Sequence, residues 1–277
     1  MPVADMSTLR QLSIIIPFAP EDMTWTALLS DLTSLPANSE IILIAGTESS
    51  KQDAIVILQS FIESKSGVFP AQAGTQRRWQ LSPASLDPRL RGDDETRVDS
   101  KDVAVLITVI DSPCGRARQM NAGARAAKNS CLWFLHADSR VDNRCLQVID
   151  DFDFSKKQMG YFSLGFQKDG PRRMGINSLG VWFRSRFLKI PFGDQGFVIS
   201  KTRFEALGSF REDLSSAEDH AFIWSARKNG VQLKHLNARI KTSARKYAEH
   251  GWGKTTRLHL RETWRQARQF SRQEKPP

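Results

Sequence analysis

Long hydrophobic runs are missing from this sequence. The longest, Val103–Ile110, already contains Thr108 and falls far short of the roughly 20 apolar residues a membrane-spanning helix needs. The amino terminus has no basic stretch followed by an apolar one, because Ser13-Ile14-Ile15-Ile16 runs straight into Pro17. The expectation is a chain without an export signal. Cysteine is scarce: Cys114, Cys131 and Cys145 are odd in number and 17 and 14 residues apart. That suits neither a disulfide framework nor a zinc site, and favours inert thiols in a reducing cytoplasm. Acidic residues are too few to balance the basic ones, leaving a net charge of +10. The imbalance is concentrated: between Arg239 and Arg272, ten Lys or Arg stand against only Glu249 and Glu262. Such a tail favours polyanions, phosphorylated ligands or the anionic inner face of a membrane. No nucleic-acid motif accompanies it, so nucleic acid is not an expected partner.

What is present has a regular rhythm. Leu12–Pro17 (LSIIIP) reads as a buried strand stopped by its proline. Trp25, Leu28, Leu29, Leu32 and Leu35 follow at helical spacing, with Pro36 just beyond. Ile41–Ala45 (IILIA) is a second strand, and Ser50 with Asp53 resembles a capping box opening a helix through Ile57, Leu58 and Phe61. Strand and helix alternating in this way predict an α/β fold with a mostly parallel sheet. Val68–Val98 breaks the pattern, being rich in Pro, Gly, Arg and Asp with no sustained apolar period. Its strings PAQAGTQ and LDPRLRGDDE resemble the translated text of a bacterial intergenic repeat, which implies an in-frame insertion at a tolerant surface loop. The functional rival is a substrate lid.

The chain is organised around Val109–Val141. Cys131–Leu135 (CLWFL) suits a buried strand, and Asp138 lies just past its carboxyl end, where open α/β sheets place ligands. Gly115-Arg116-Ala117-Arg118 supplies two guanidinium groups beside the same crevice. Arginine pairs with phosphate through two parallel hydrogen bonds, so this turn suits a diphosphate. An acid opposite a diphosphate points to a bridging divalent metal. The plainer reading is a solvated Asp capping a strand, with the arginines on a wet helix face.

Further along, Asn143 reads as the cap of a helix through Val148 and Ile149, and Tyr161–Phe166 alternates like a strand. Met174–Leu188 carries Ile176, Leu179, Phe183 and Phe187 at helical spacing, with Arg184 and Arg186 among them. Pro191–Gly196 is a turn into the strand Phe197–Ile199, and Gly208 ends a short helix over Lys201–Leu207. A serine cap at Ser215 with acids in the first turn accounts for Glu218 and Asp219 without any function. In the last helix Arg257, Arg261, Arg265, Arg268 and Arg272 share one stripe, flanked by Leu260, Trp264 and Ala267. This amphipathic pattern suits a membrane surface or an acidic partner, or an apolar flank packed on the domain.

Together these pieces resemble a family-2 glycosyltransferase with the GT-A fold, the Rossmann-like fold of nucleotide-diphospho-sugar transferases. Pro17 and Glu21 resemble the opening Pro-x-x-x-Glu, and GRARQMNAGARAA followed by LWFLHADSRV resembles the segment ending in the metal-binding acid. IPFGDQGFVISKTRFEALGSF, AEDHAF and TSARKY are similar to a narrower subgroup, the arsenosugar-biosynthesis or radical-SAM/selenodomain-associated glycosyltransferases. The resemblance implies one glycosyltransferase domain over residues 10–250, interrupted by a disordered inserted loop at 67–100, then a basic helix and tail at 251–277.

It also implies transfer of a sugar from a UDP- or GDP-linked donor to a small or lipid-like acceptor. Asp138 would ligate Mg²⁺ or Mn²⁺, Asp219 would be the general base, and Glu218 would support it. Pro17, Glu21, Arg116, Arg118, Asn121 and His136 would line the nucleotide site, while Gly193, Asp194 and Gln195 would face the sugar or acceptor. Three positions depart from the family pattern. His136-Ala137-Asp138 stands where Asp-x-Asp is usual, Ala45 replaces the acid that reads the base, and no Gln-x-x-Arg-Trp motif is present. The last departure favours a single transfer over polymerisation. A catalytically silent nucleotide-sugar binder and a nucleotidyltransferase are the alternatives.

Overall fold

Ile14 and Ile16 belong to one apolar cluster of the protein and Ile15 to another. This is the period-two signature of a strand covered on both faces. The computed structural model describes residues 11–32, 35–36, 38–64, 70–71, 78–81, 105–214 and 216–272. Its first strand, β1 (Leu12–Phe18), is wholly buried. Then come α1 (Trp25–Asp31), β2 (Glu40–Ala45), α2 (Glu48–Ser64), β3 (Pro70–Ala71), β4 (Arg78–Leu81), β5 (Val105–Asp111), α3 (Arg116–Ala126) and β6 (Cys131–Phe134). The second half contributes α4 (Asn143–Asp150), β7 (Gln158–Phe166), α5 (Met174–Phe187), β8 (Phe197–Ser200), α6 (Lys201–Ala206), α7 (Glu218–Lys228), β9 (Gln232–Thr242), α8 (Arg245–His250) and α9 (Trp252–Arg272).

Among the described residues the strands form one nine-stranded sheet in the order β3-β4-β5-β2-β1-β6-β8-β7-β9. Its centre, β5-β2-β1-β6, is parallel throughout, and β8 then pairs antiparallel with both β6 and β7. Residues from α1, α2 and α4 pack with one face of this centre. Those of α3, α6 and α7 pack with the other. Order reverses at β1, from which the chain builds outward first through β2 and β5 and then through β6. In open α/β sheets ligands bind in the crevice at the carboxyl ends of such strands.

Four local expectations need correction. Pro17 does not stop β1, which continues to Phe18 with Pro17 opposite Ile44. Ile15 is the last residue of β1 in register with β6, and Leu135 N–H closes that side by donating to Ile15 O at 3.0 Å. Pro17 has the parity of Ile15 and points its missing donor where β6 has already ended, so no ladder bond is lost. The cap of α2 is Thr47, not Ser50: its hydroxyl accepts from Ser50 N at 3.2 Å. Asp142, not Asn143, caps α4 by accepting from Cys145 N at 3.2 Å. At α7 the capping position is Ala217, without a side-chain bond, and Ser215 lies outside the described residues.

The segment at 67–100 is not loop throughout, because β3 and β4 fall inside it. β4 pairs antiparallel with β5 from Arg78–Thr108 to Leu81–Val105. The rest of the expected insert, at 67–69, 72–77 and 82–100, lies outside the described residues. The three cysteines are thiols not joined by a disulfide, with Cys131 and Cys145 buried and Cys114 exposed. Burial pushes the Cys145 thiol up to about 12, as expected of an inert thiol.

Candidate active site

The chain turns from β5 into α3 at Gly115, whose φ of +131° is a conformation L side chains rarely adopt. That turn puts Arg116 and Arg118 at the start of α3, on a cleft of about 540 Å³ also lined by Glu212–Leu214 and Ser216–Glu218. A narrower pocket shares Arg116 and Glu218 with this cleft and is also lined by Met120, His136, Gly193 and Asp219. Arg116 Nη1 lies 3.5 Å from Glu218 Oε1. Burial raises the Glu218 carboxyl, Asp219 adds to that, and Arg116 opposes it.

Asp219 is placed by backbone. Gly193 N–H donates to its Oδ2 at 2.7 Å, and His220 N–H donates to its Oδ1 at 2.8 Å. Burial favours the neutral acid, but His220, the Gly193 amide and Arg116 outweigh it and hold Asp219 below the ordinary carboxylate range. A side chain at Gly193 would be tight: a Cβ would lie 3.2 Å from His136 Nε2 and 3.3 Å from Asp219 Oδ2. Burial, with Arg116 adding, pulls His136 down to about 4, so its ring is neutral at physiological pH.

The turn that carries Gly193 is a 3₁₀ segment, Gly193–Gln195. Gln195 is buried and does not face the cleft. Its Oε1 accepts from Ser185 Oγ at 2.7 Å and from Phe192 N at 3.1 Å, while Nε2 donates to Phe162 O at 2.8 Å. Arg184 stacks 3.3 Å from the Phe192 ring centroid and donates to Ile190 O, and burial pulls it down to about 10. Asp194 is pushed up to about 6 by burial, with Asp219 and Asp138 adding and Arg184 opposing. Its Oδ1 is buried without a hydrogen bond.

Asp138 follows β6 as expected, anchored to the end of β9. Its Oδ2 accepts from Thr242 Oγ1 at 2.9 Å and from Ser243 N at 3.3 Å. Arg140 steadies the same loop with a bidentate fork onto Asp31, both bonds at 2.6 Å. Asn121 is spent on structure: its amide exchanges bonds with Phe210 backbone at 2.9 and 3.0 Å and donates to Glu212 at 2.8 Å. It therefore acts on the cleft only through the segment it holds. Pro17 is buried in β1, and Glu21 is exposed beyond that strand. Ala45 is fully buried at the end of β2, opposite Asp111. Lys51 occupies this corner, bonded to Asp111 at 2.8 Å and to Glu48 at 3.2 Å.

The sequence reading missed Thr242, Ser243, Ser185 and Arg184. TSARKY contains the first two, but nothing local marks their bond to a carboxylate more than 100 residues upstream. Among the described residues no three His, Cys, Asp or Glu are gathered to hold a metal ion. The donor set fits a metal held chiefly by a ligand's own oxygens, because among the described residues no hydrogen bond engages Asp138 Oδ1 while Oδ2 is fixed.

No family model matches the sequence, and no curated protein matches it. Solved structures do. S. aureus TarS 1–349 in complex with UDP-GlcNAc superposes with a TM-score of 0.53 at 15% identity, over 84% of this chain and 58% of that one. The mannosyltransferase PcManGT from Pyrobaculum calidifontis, in complex with GDP-Man and Mn²⁺, gives 0.57 at 15% identity, over 90% and 61%. A further S. aureus TarS structure is matched over only 36% of its length. This chain thus spans less than two thirds of the chains it resembles. At such identities the likeness establishes the fold, which is that of the GT-A glycosyltransferases.

Proposed function

We propose that the chain transfers a glycosyl group from a nucleoside-diphosphate sugar to the hydroxyl of a small or lipid-like acceptor, one transfer per encounter. The observation that carries this reading is the meeting of Arg116, His136, Gly193, Glu218 and Asp219 on one pocket. That pocket shares Arg116 and Glu218 with a cleft that has Arg116 and Arg118 in its wall. The UDP-GlcNAc and GDP-Man in complex with the two similar structures support such a donor.

Arg116 and Arg118 at the amino end of α3 hold the diphosphate, where side-chain charge and helix dipole act in the same direction. As the donor bond breaks, negative charge grows on the leaving oxygen, and these guanidinium groups are already in place to stabilise it. Asp219 accepts the acceptor hydroxyl's proton. Its two N–H partners fix its direction and keep it ionised, and the neutral His136 beside it brings no competing positive charge. Glu218 keeps Arg116 turned toward the cleft. Asp138 Oδ1 would hold Mg²⁺ or Mn²⁺, and the ion would supply Lewis-acid neutralisation of the diphosphate charge.

A second reading, a nucleotide-sugar binder without turnover, is favoured by Ala45, which leaves the base-reading position without a carboxylate. Calorimetric titration with UDP and GDP, with and without Mn²⁺, tests the donor site, with Asp138→Asn alongside. Metal-dependent binding of one diphosphate, lost in the variant, supports the proposal. No binding of either overturns it. Asp219→Asn then separates the two readings, since only a transferase loses product formation while keeping donor affinity.

A further inference from the structure

An amphipathic helix on a globular domain normally buries its apolar stripe. α5 does the reverse. Ser185 is 2% exposed and Arg184 lies inward with it, whereas Leu179 is 63%, Phe183 53% and Phe187 59% exposed. Ile176 and Trp182 are exposed beside them, and Leu188 continues the surface past the helix end. Ile176, Leu179, Phe183 and Phe187 follow one another at spacings of three and four, which aligns them on one side of a helix. The aromatic members touch: the Trp182 and Phe187 ring centroids are 5.5 Å apart, those of Phe183 and Phe187 5.0 Å. A large connected apolar patch of this kind marks an interaction surface.

The charge around the patch identifies its occupant. From Gly170 to Ile190 the chain has no acidic residue, and the exposed Arg172, Arg173, Arg186 and Lys189 bracket the apolar stripe. α9 begins against the same helix, where Trp252 Nε1 donates to Asn177 Oδ1 at 2.7 Å and Asn177 Nδ2 donates to Thr256 at 3.1 Å. From there α9 presents Lys254, Arg257 and Arg261 to solvent. A second copy of this chain would bring the same basic rim against itself. An anionic bilayer instead offers acyl chains to the stripe and headgroup phosphates to its rim, and aromatic side chains favour that boundary.

We propose that α5 inserts its Ile176–Phe187 face into the surface of an anionic membrane, with the start of α9 supplying the adjoining electrostatic contact. The basic carboxyl-terminal helix thus adds charge, while the wedge itself is α5. Ser185 and Arg184 on the inner face of α5 hold Gln195, in the turn whose Gly193 binds Asp219. One turn thus links the docked helix to Asp219.

The test is co-sedimentation of the full chain with phosphatidylcholine vesicles and with vesicles of phosphatidylcholine and phosphatidylglycerol in equal parts. The expected result is partition about tenfold greater onto the anionic vesicles, falling with salt. A Phe183→Glu/Phe187→Glu variant should lose about tenfold of that partition, and Arg257→Glu/Arg261→Glu should weaken its salt dependence. Circular dichroism melting, not donor binding, controls for folding, so the outcome stands apart from the transferase reading. Partition unchanged in the phenylalanine variant, or absent in the wild type, overturns the proposal. So does a dimer in sedimentation velocity that dissociates in that variant without any vesicle binding.

Discussion

The backbone N–H of Gly193 and the Oδ2 of Asp219 lie 2.7 Å apart, joining a turn and a helix start 26 residues apart in sequence. The side chain proposed to take the acceptor proton is thus aimed by a main-chain donor. The turn is itself fixed by Gln195, Ser185 and Phe162.

Gly193→Ala should push a methyl group between His136 Nε2 and Asp219 Oδ2, at 3.2 and 3.3 Å. Turnover is expected to fall by at least about 100-fold, from misplacement of the base. Donor affinity, measured by calorimetry, should hold within about threefold, because the arginine wall of the cleft is untouched. Equal loss of both would show that Gly193 serves the donor site.

Thr242→Val deletes the hydroxyl that fixes Asp138 Oδ2 at 2.9 Å. Partners behind a metal ligand commonly affect affinity by 10–100-fold. Mn²⁺-dependent donor binding should weaken by about tenfold, with metal-free binding unchanged. A variant that retains full Mn²⁺ dependence would remove Asp138 from the metal role.

Ala217 has φ of +69° immediately before Glu218. A non-glycine residue in the left-handed region costs on the order of 1 kcal/mol. Ala217→Gly should therefore raise stability by roughly 0.5 kcal/mol once the extra unfolded-chain entropy of glycine is subtracted. Urea unfolding at constant slope measures it, and a loss of stability would contradict the strain.

His220 is buried against the Phe192 ring, with neither ring nitrogen hydrogen-bonded. Burial pulls it down from 6.5 to about 4. A depressed histidine contributes stability that is fully present above pH 6.5 and lost as pH falls through about 4. His220→Leu should flatten that acid loss by on the order of 2 kcal/mol, read from urea midpoints at neutral and acid pH. Some acid sensitivity should survive in the variant, since His136 is depressed to a similar value.

The sheet centre was legible because burial on both faces writes itself as continuous apolar text: LSIII, IILIA and CLWFL are β1, β2 and β6 with little adjustment. Arg116 and Arg118 were legible because a glycine turn into a helix start sets both on one cleft, whereas Asp138, which follows β6 as expected, lines neither that cleft nor the narrower pocket. The position of Asp219 was not, because its partner Gly193 is distant in sequence and an acid in a first helical turn has an ordinary explanation. Caps were misjudged by one to three residues, since Thr47 and Ser50, or Asp142 and Asn143, offer equivalent chemistry. The apolar spacing of α5 identified a helix without identifying its direction. Periodicity shows that residues share a face; only the tertiary contacts of Ser185 and Arg184 show that the polar face is the one turned inward.

The pairing of β4 with β5 alters the standing of the segment at 67–100. A surface loop with no ladder bonds is a passenger, free to lengthen, shorten or vanish. Once it lends a strand to the rim of the sheet, it has a tenant's claim on the edge it covers, for without β4 the backbone of β5 would lie open to any passing strand. Excision of the segment would have to restore a guarded edge in the same step.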